Sequence, residues 1–251
     1  MDPVNRSPVF SDVSETEWKR LSGRTIYFGH QSVGNNILSG IRDVMKETSL
    51  VNLSIREVQT PEKVAGPVLV HSKVGKNEDT TSKIRDFTDY LKGGIGESAE
   101  IAFLKFCYLD VDAKTDIEKL FSEYRNYMSA LRQMYPKTKF VHVTVPLKIV
   151  QENYKSIIKK YTGFGSLWEY EDAKARNRYN HLLRKEFEGK EPIFDVARYE
   201  STYPDGRRSG FRLKGEWYET MAPEYTDDGG HLNGTGRKEV AKQLLIFLAR
   251  Q

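Results

Sequence analysis

The tightest constraint on this chain is that short β-rich apolar runs alternate with segments of helical periodicity. Arg24 to Phe28 (RTIYF) is a compact run between Gly23 and Gly29, the pattern of a strand buried on both faces. Val33, Ile37, Leu38, Ile41, Val44 and Met45 then recur at helical spacing. Val51, Leu53 and Ile55 alternate and predict a second strand, and Ile101 to Phe106 a third. Ile117, Leu120, Phe121, Tyr124, Met128 and Leu131 mark an amphipathic helix. Phe140 to Val145, stopped by Pro146, predicts a fourth strand, Ala173 to Phe187 a helix, and Pro192 to Ala197 a fifth strand. Val240, Leu244, Leu245 and Leu248 mark a closing helix. Strands joined by crossover helices build a parallel sheet covered on both faces. The expected fold is α/β, a three-layer α/β/α sandwich around a flavodoxin-like, five-stranded parallel sheet. Residues 1–24 read as an N-terminal extension and 25–251 as one domain.

Composition narrows the function classes. Hydrophobic residues at 38% supply a core and exclude a disordered chain. No run approaches the roughly 18 to 20 apolar residues of a membrane span, so no integral membrane segment is expected. The only cysteine, Cys107, cannot form an internal disulfide. The +4 net charge is spread along the chain. Its small clusters, Lys159-Lys160 and Arg207-Arg208, read as solvated surface, so no nucleic-acid partner is expected. Met1 to Phe10 carry no basic-then-apolar leader. A soluble protein is expected, cytoplasmic or, had a leader been removed, periplasmic or secreted.

In parallel sheets the ligand site lies beyond the carboxyl ends of the strands. After the first strand comes Gly29-His30-Gln31-Ser32-Val33-Gly34. A serine on this turn sits at a helix N-terminus, where free N–H groups favour an alkoxide-like nucleophile and a developing oxyanion. The same serine could be a plain helix N-cap. Near the C-terminus, Asp228 stands three residues before His231 on a glycine-rich loop. Such an aspartate can bond one imidazole nitrogen and free the other as a base. It could equally be a turn with an aspartate cap for the following helix.

The layout resembles the SGNH (GDSL-type) hydrolase superfamily. Tyr27 to Gly34 (YFGHQSVG) resembles its first block, whose serine is the nucleophile. Asp227 to Gly236 (DDGGHLNGTG), followed by a helix, resembles its last block, an Asp-x-x-His motif. Tyr124 to Pro146 and Asn177 to Ala197 follow the family's helix and strand pattern, so the resemblance runs from Thr25 to Gln251. It implies acyl-ester cleavage by Ser32, His231 and Asp228, without metal or cofactor. The implied oxyanion donors are the backbone N–H groups of Ser32 and of Gly75, the counterpart of the second-block glycine. Two departures stand out. Gly-Asp-Ser is replaced by the longer Gly29-His30-Gln31-Ser32. The Gly-x-Asn-Asp block after the third strand is replaced by Lys105-Phe106-Cys107-Tyr108, which removes an oxyanion donor. Losing such a donor costs roughly 100- to 1000-fold in rate. The Asn77 carboxamide is the candidate replacement.

His30 and Gln31 either contact substrate or support the turn, and Lys105 and Tyr108 are further substrate-contact candidates. Cys107 reads as a buried filler and His142 as a core histidine, while His71 and His181 show no partner pattern. The five histidines lack metal-ligand spacing. Segments 147–172 and 198–226 are rich in aromatics, including Tyr154, Tyr161, Phe164, Trp168, Tyr170, Phe211, Trp217 and Tyr218. They form either a sugar-binding wall or, the favoured reading, a satellite core. The expected function is a serine esterase acting on a small or carbohydrate O-acyl, above all O-acetyl, ester. The rivals are a catalytically weak glycan- or partner-binding domain and an acyltransferase using the same triad.

Overall fold

The computed structural model describes residues 8–150 and 168–251. The expectations for Tyr154, Tyr161, Phe164 and Lys159-Lys160 lie outside the described residues. In chain order the main elements are α1 (Glu15–Ser22), β1 (Thr25–His30), α2 (Val33–Glu47), β2 (Ile55–Glu57), β3 (Val68–Lys73) and α3 (Thr80–Tyr90). Then follow β4 (Ile101–Leu104), α4 (Ile117–Met134), β5 (Lys139–Val143), α5 (Trp168–Phe187), β6 (Ile193–Phe194) and α6 (Val196–Glu200). A hairpin, β7 (Gly210–Leu213) and β8 (Glu216–Glu219), precedes the closing helix α7 (Gly234–Ala249).

The central sheet has six strands in the order β2-β3-β1-β4-β5-β6, and every neighbouring pair is parallel. The expected count of five is corrected by β3, which the alternation at Val51, Leu53 and Ile55 had obscured. Without the three-residue edge strand β2, the order is the 2-1-3-4-5 of flavodoxin-like sheets. The apolar run in β3 is only Val68-Leu69-Val70, and its continuation is polar. His71 and Ser72 are nonetheless buried, because each has a partner: His71 Nδ1 lies 3.1 Å from His30 Nε2, and Ser72 Oγ lies 2.7 Å from Tyr27 Oη. The fifth expected strand is also cut short. Asp195 caps α6 by accepting the Arg198 N–H at 3.1 Å, so Val196 and Ala197 are helical.

Strand pleating divides the core between two faces. Ile26, Phe28, Ile101, Phe103, Val141 and Val143 pack with α1, α2 and α7. Tyr27, Ala102, Leu104 and Phe140 pack with α3, α4 and α5. On the first face, Trp18 and Leu21 of α1 are buried, and the Arg20 guanidinium donates to the Ala249 carbonyl at 2.7 Å. On the second, His142 is a core residue, stacked on Phe187 and bonded to Tyr124 Oη and Glu191 Oε2, both at 2.9 Å. Tyr170, Phe211, Leu213 and Tyr218 form the satellite core, with the Tyr170 and Phe211 rings edge-on at 4.7 Å. Trp168 and Trp217 stay exposed. Among the described residues, no helix is long and apolar enough to cross a membrane.

Candidate active site

β1 lies between β3 and β4, with His30 in register with Lys73 and Gly29 with Leu104. Crossovers leave β1 and enter β4 on opposite sides here, which opens a crevice at the carboxyl end of β1. Ser32 stands in that place, at the first turn of α2. It occupies the N-cap position, yet its side chain makes no capping bond. Its Oγ instead lies 3.8 Å from Cys107 Sγ, beyond the end of β4. The hydroxyl is thus left free of the role that a serine at this position ordinarily takes.

The second motif also departs from its bland reading. The cap of α7 is Asn233, whose side chain accepts the Thr235 and Gly236 N–H groups, both at 3.1 Å. Asp228 is therefore spared for His231. Its Oδ2 lies 2.6 Å from His231 Nδ1, and its Oδ1 accepts the N–H groups of Gly230 and His231 at 2.9 and 2.8 Å. Those two backbone donors, with the imidazole, hold the Asp228 carboxyl well below the usual carboxylate range. Nδ1 is engaged by a carboxylate, so Nε2 is the nitrogen left to exchange a proton.

Two consecutive residues join the distant motifs. Cys107 touches Ser32, and the Tyr108 ring meets the His231 ring edge-on, with centroids 5.8 Å apart. Tyr108 is buried beneath the Gly229-Gly230 turn, and a Cβ on Gly230 would stand 2.8 Å from its ring and hydroxyl. Loss of water pushes the phenol up to about 12, so it stays neutral. The segment leaving β5 braces the same turn: the Ile149 N–H donates to the Gly229 carbonyl at 3.0 Å, and Lys148 Nζ lies 5.4 Å from the Tyr108 ring centroid.

The loop after β3 corrects one expectation. Gly75 has φ +55, and its N–H donates to Asp86 Oδ2 at 2.8 Å. That N–H is consumed and is not an oxyanion donor in this arrangement. Lys83 and Asp110, both buried, pair at 2.5 Å beneath the loop, and Lys83 Nζ also donates to Asn77 Oδ1 at 3.0 Å. Asp110 further accepts the N–H groups of Cys107 at 2.6 Å and Glu78 at 2.8 Å. Removing one partner of such a buried pair costs about 3–5 kcal/mol, because the other charge is stranded. Sequence reading missed Lys83, Asp110 and Asp86. The available signal was Lys83 on the apolar face of α3, in line with Phe87 and Tyr90.

Three substrate-contact candidates turn inward. His30 is fully buried against His71, and burial pushes its imidazole down to about 3. Gln31 Nε2 donates to the carbonyls of Val74 and Gly75 at 3.0 and 2.8 Å, which straps the β1 exit to the β3 exit. Lys105 is fully buried and donates to the Phe106 carbonyl at 3.0 Å. These are supports of the site floor rather than a surface open to substrate.

No protein-family model matches the chain, and no curated protein matches it. Solved structures do. A structure from Streptococcus pneumonia, described as a platelet activating factor, superposes with a TM-score of 0.52 at 15% identity, covering 93% of this chain and 90% of that one. This likeness establishes a shared α/β fold over nearly the whole chain. An acetyl esterase mutant with acetate ion matches at TM-score 0.43 and 10% identity, covering 88% of this chain and 92% of that one. The periplasmic domain of a lipopolysaccharide acetyltransferase from Salmonella ser. Paratyphi A matches at 0.42 and 12%, covering 87% and 81%.

Proposed function

We propose that this chain is a serine esterase of the SGNH type, which cleaves a small or carbohydrate O-acyl ester, above all an acetyl ester. One observation carries the reading. Cys107 and Tyr108, adjacent in sequence, touch Ser32 and His231, while Ser32 makes no capping bond and Asn233, not Asp228, caps α7.

In this reading Ser32 Oγ attacks the ester carbonyl, and His231 Nε2 takes its proton. Asp228 fixes the imidazole tautomer and stabilises the imidazolium that forms. The oxyanion lies at the N-terminus of α2, where the Ser32 N–H has no partner among the described residues. His231 returns the proton to the departing alcohol, leaving an acyl-Ser32 ester. Water, deprotonated by His231, attacks that ester and releases the acid. Transfer to an acceptor alcohol would use the same acyl-enzyme, with the alcohol in place of water.

The test is covalent labelling by a fluorophosphonate probe, together with turnover of acetyl, butyryl and longer p-nitrophenyl esters. Labelling and turnover are both expected in the wild type and both absent in Ser32→Ala. A folded wild type that takes no label favours a binding domain. Activity unchanged in Ser32→Ala would refute the nucleophile.

A further inference from the structure

We infer that the buried Lys83–Asp110 pair positions Asn77 as the oxyanion donor that the chain uses in place of the missing third-block asparagine. The inference rests on the esterase reading and deepens it. Its starting point is the fate of four consecutive backbone N–H groups in the loop after β3. Gly75 donates to Asp86 Oδ2, Lys76 to Ser82 Oγ at 2.9 Å, and Glu78 to Asp110 Oδ1. Asn77 alone keeps an N–H with no partner among the described residues.

The Asn77 side chain is oriented by chemistry. An ammonium has donors and no acceptor, so the group facing Lys83 Nζ at 3.0 Å must be the carboxamide oxygen. The NH2 end is then the free end, and it has no partner among the described residues. Lys83 cannot swing away to release it. Its side chain is fully buried, and Asp110 Oδ2 holds the same ammonium at 2.5 Å.

The loop is also bracketed against Ser32 from both ends. On one side, Gln31, the neighbour of Ser32, grips the Gly75 carbonyl. On the other, Asp110 bonds both the Glu78 N–H and the N–H of Cys107, whose Sγ touches Ser32 Oγ. Asn77 lies between these two ties. It thus offers a fixed backbone N–H and a fixed amide beside the nucleophile, as an oxyanion site requires.

The experiment measures kcat and KM for p-nitrophenyl acetate. Asn77→Ala is expected to lower kcat by roughly 100-fold with KM nearly unchanged, the size of effect seen when one oxyanion donor is removed. Asn77→Asp is the sharper variant. It keeps an oxygen for Lys83, so a purely structural role tolerates it, whereas an oxyanion facing a second anion is destabilised beyond the Ala loss. Lys83→Met combined with Asp110→Asn removes the pair without stranding a charge. It should lower kcat as Asn77→Ala does, with no further loss when Asn77→Ala is added, in protein whose melting curve stays cooperative. Multiplying losses, a change confined to KM, or Asn77→Asp at wild-type kcat would overturn the assignment. If the paired variant does not fold, the Asn77→Ala and Asn77→Asp comparison decides alone. An active wild type indifferent to Asn77→Ala removes this inference only. A wild type that neither reacts with fluorophosphonate nor turns over ester removes the esterase reading and this one together.

Discussion

Asp228 grips His231 with both carboxylate oxygens, Oδ2 facing Nδ1 at 2.6 Å and Oδ1 accepting the backbone N–H of the same residue at 2.8 Å. The imidazole is thereby fixed in tautomer and in direction, although both side chains are substantially exposed. Asp228→Asn separates the two functions. The asparagine oxygen still accepts the backbone N–H groups, but its NH2 then faces Nδ1 and demands the other tautomer. A fall in kcat of about 10^3- to 10^4-fold is expected, with KM and melting temperature little changed. A loss below tenfold in p-nitrophenyl acetate turnover would show that His231 does not depend on this carboxylate.

The turn above Tyr108 has no room for a side chain. Gly230→Ala places a methyl 2.8 Å from the Tyr108 ring and hydroxyl, so the turn must lift and carry His231 with it. A displacement of about 1 Å at a catalytic group costs on the order of 100-fold in rate. Steady-state kinetics should show that loss in Gly230→Ala, and removal of the obstructing ring in Gly230→Ala/Tyr108→Ala should restore part of it. A double variant as slow as the single one would mean that the ring is not the obstacle.

The sheet and its helices were legible in the sequence because buried strands and amphipathic helices have distinct apolar periods. Tyr27 and Phe28, and the Ile117 to Leu131 stripe, carried that signal. Strand β3 was not legible, because its apolar run is cut short by two buried polar residues, His71 and Ser72, whose partners, His30 and Tyr27, are distant in sequence. The same limit governed the site. The residue types at Ser32, Asp228 and His231 suggest a chemistry, but the sequence could not show that Ser32 makes no capping bond at α2 and that Asn233, not Asp228, caps α7. The fate of the Gly75 N–H was invisible for the converse reason: its acceptor, Asp86, lies nearly two turns into α3. For His30 the sequence leaves substrate contact and turn support open and for Lys105 it allows a substrate contact, because charged and polar groups are mostly exposed, whereas the fold buries both.

Glu200 and Lys105 make a last prediction, in which the sign is fixed by burial. Both are fully buried. Glu200 Oε2 accepts the Leu147 N–H at 2.7 Å, while its Oε1 has no partner among the described residues. Burial pushes the Glu200 carboxyl up from 4.5 to about 8, and burial pushes the Lys105 ammonium down from 10.5 to about 8. Between pH 4.5 and about 8, the folded chain therefore holds a proton on Glu200 that the unfolded chain has lost, and stability falls as pH rises. Lys105 acts in the other direction above about 8, where only the unfolded chain retains its proton. The buried imidazoles of His30 and His142, each pushed down to about 3 by burial, remove stability as pH drops below 6.5. Those contributions cancel in a comparison of wild type with Glu200→Gln, which keeps an acceptor for Leu147 and cannot ionise. Thermal melts should show the two proteins close together near the lower end of the window and Glu200→Gln gaining on the wild type with each step toward its upper end. Parallel curves across the window would mean that Glu200 is already ionised in the folded chain.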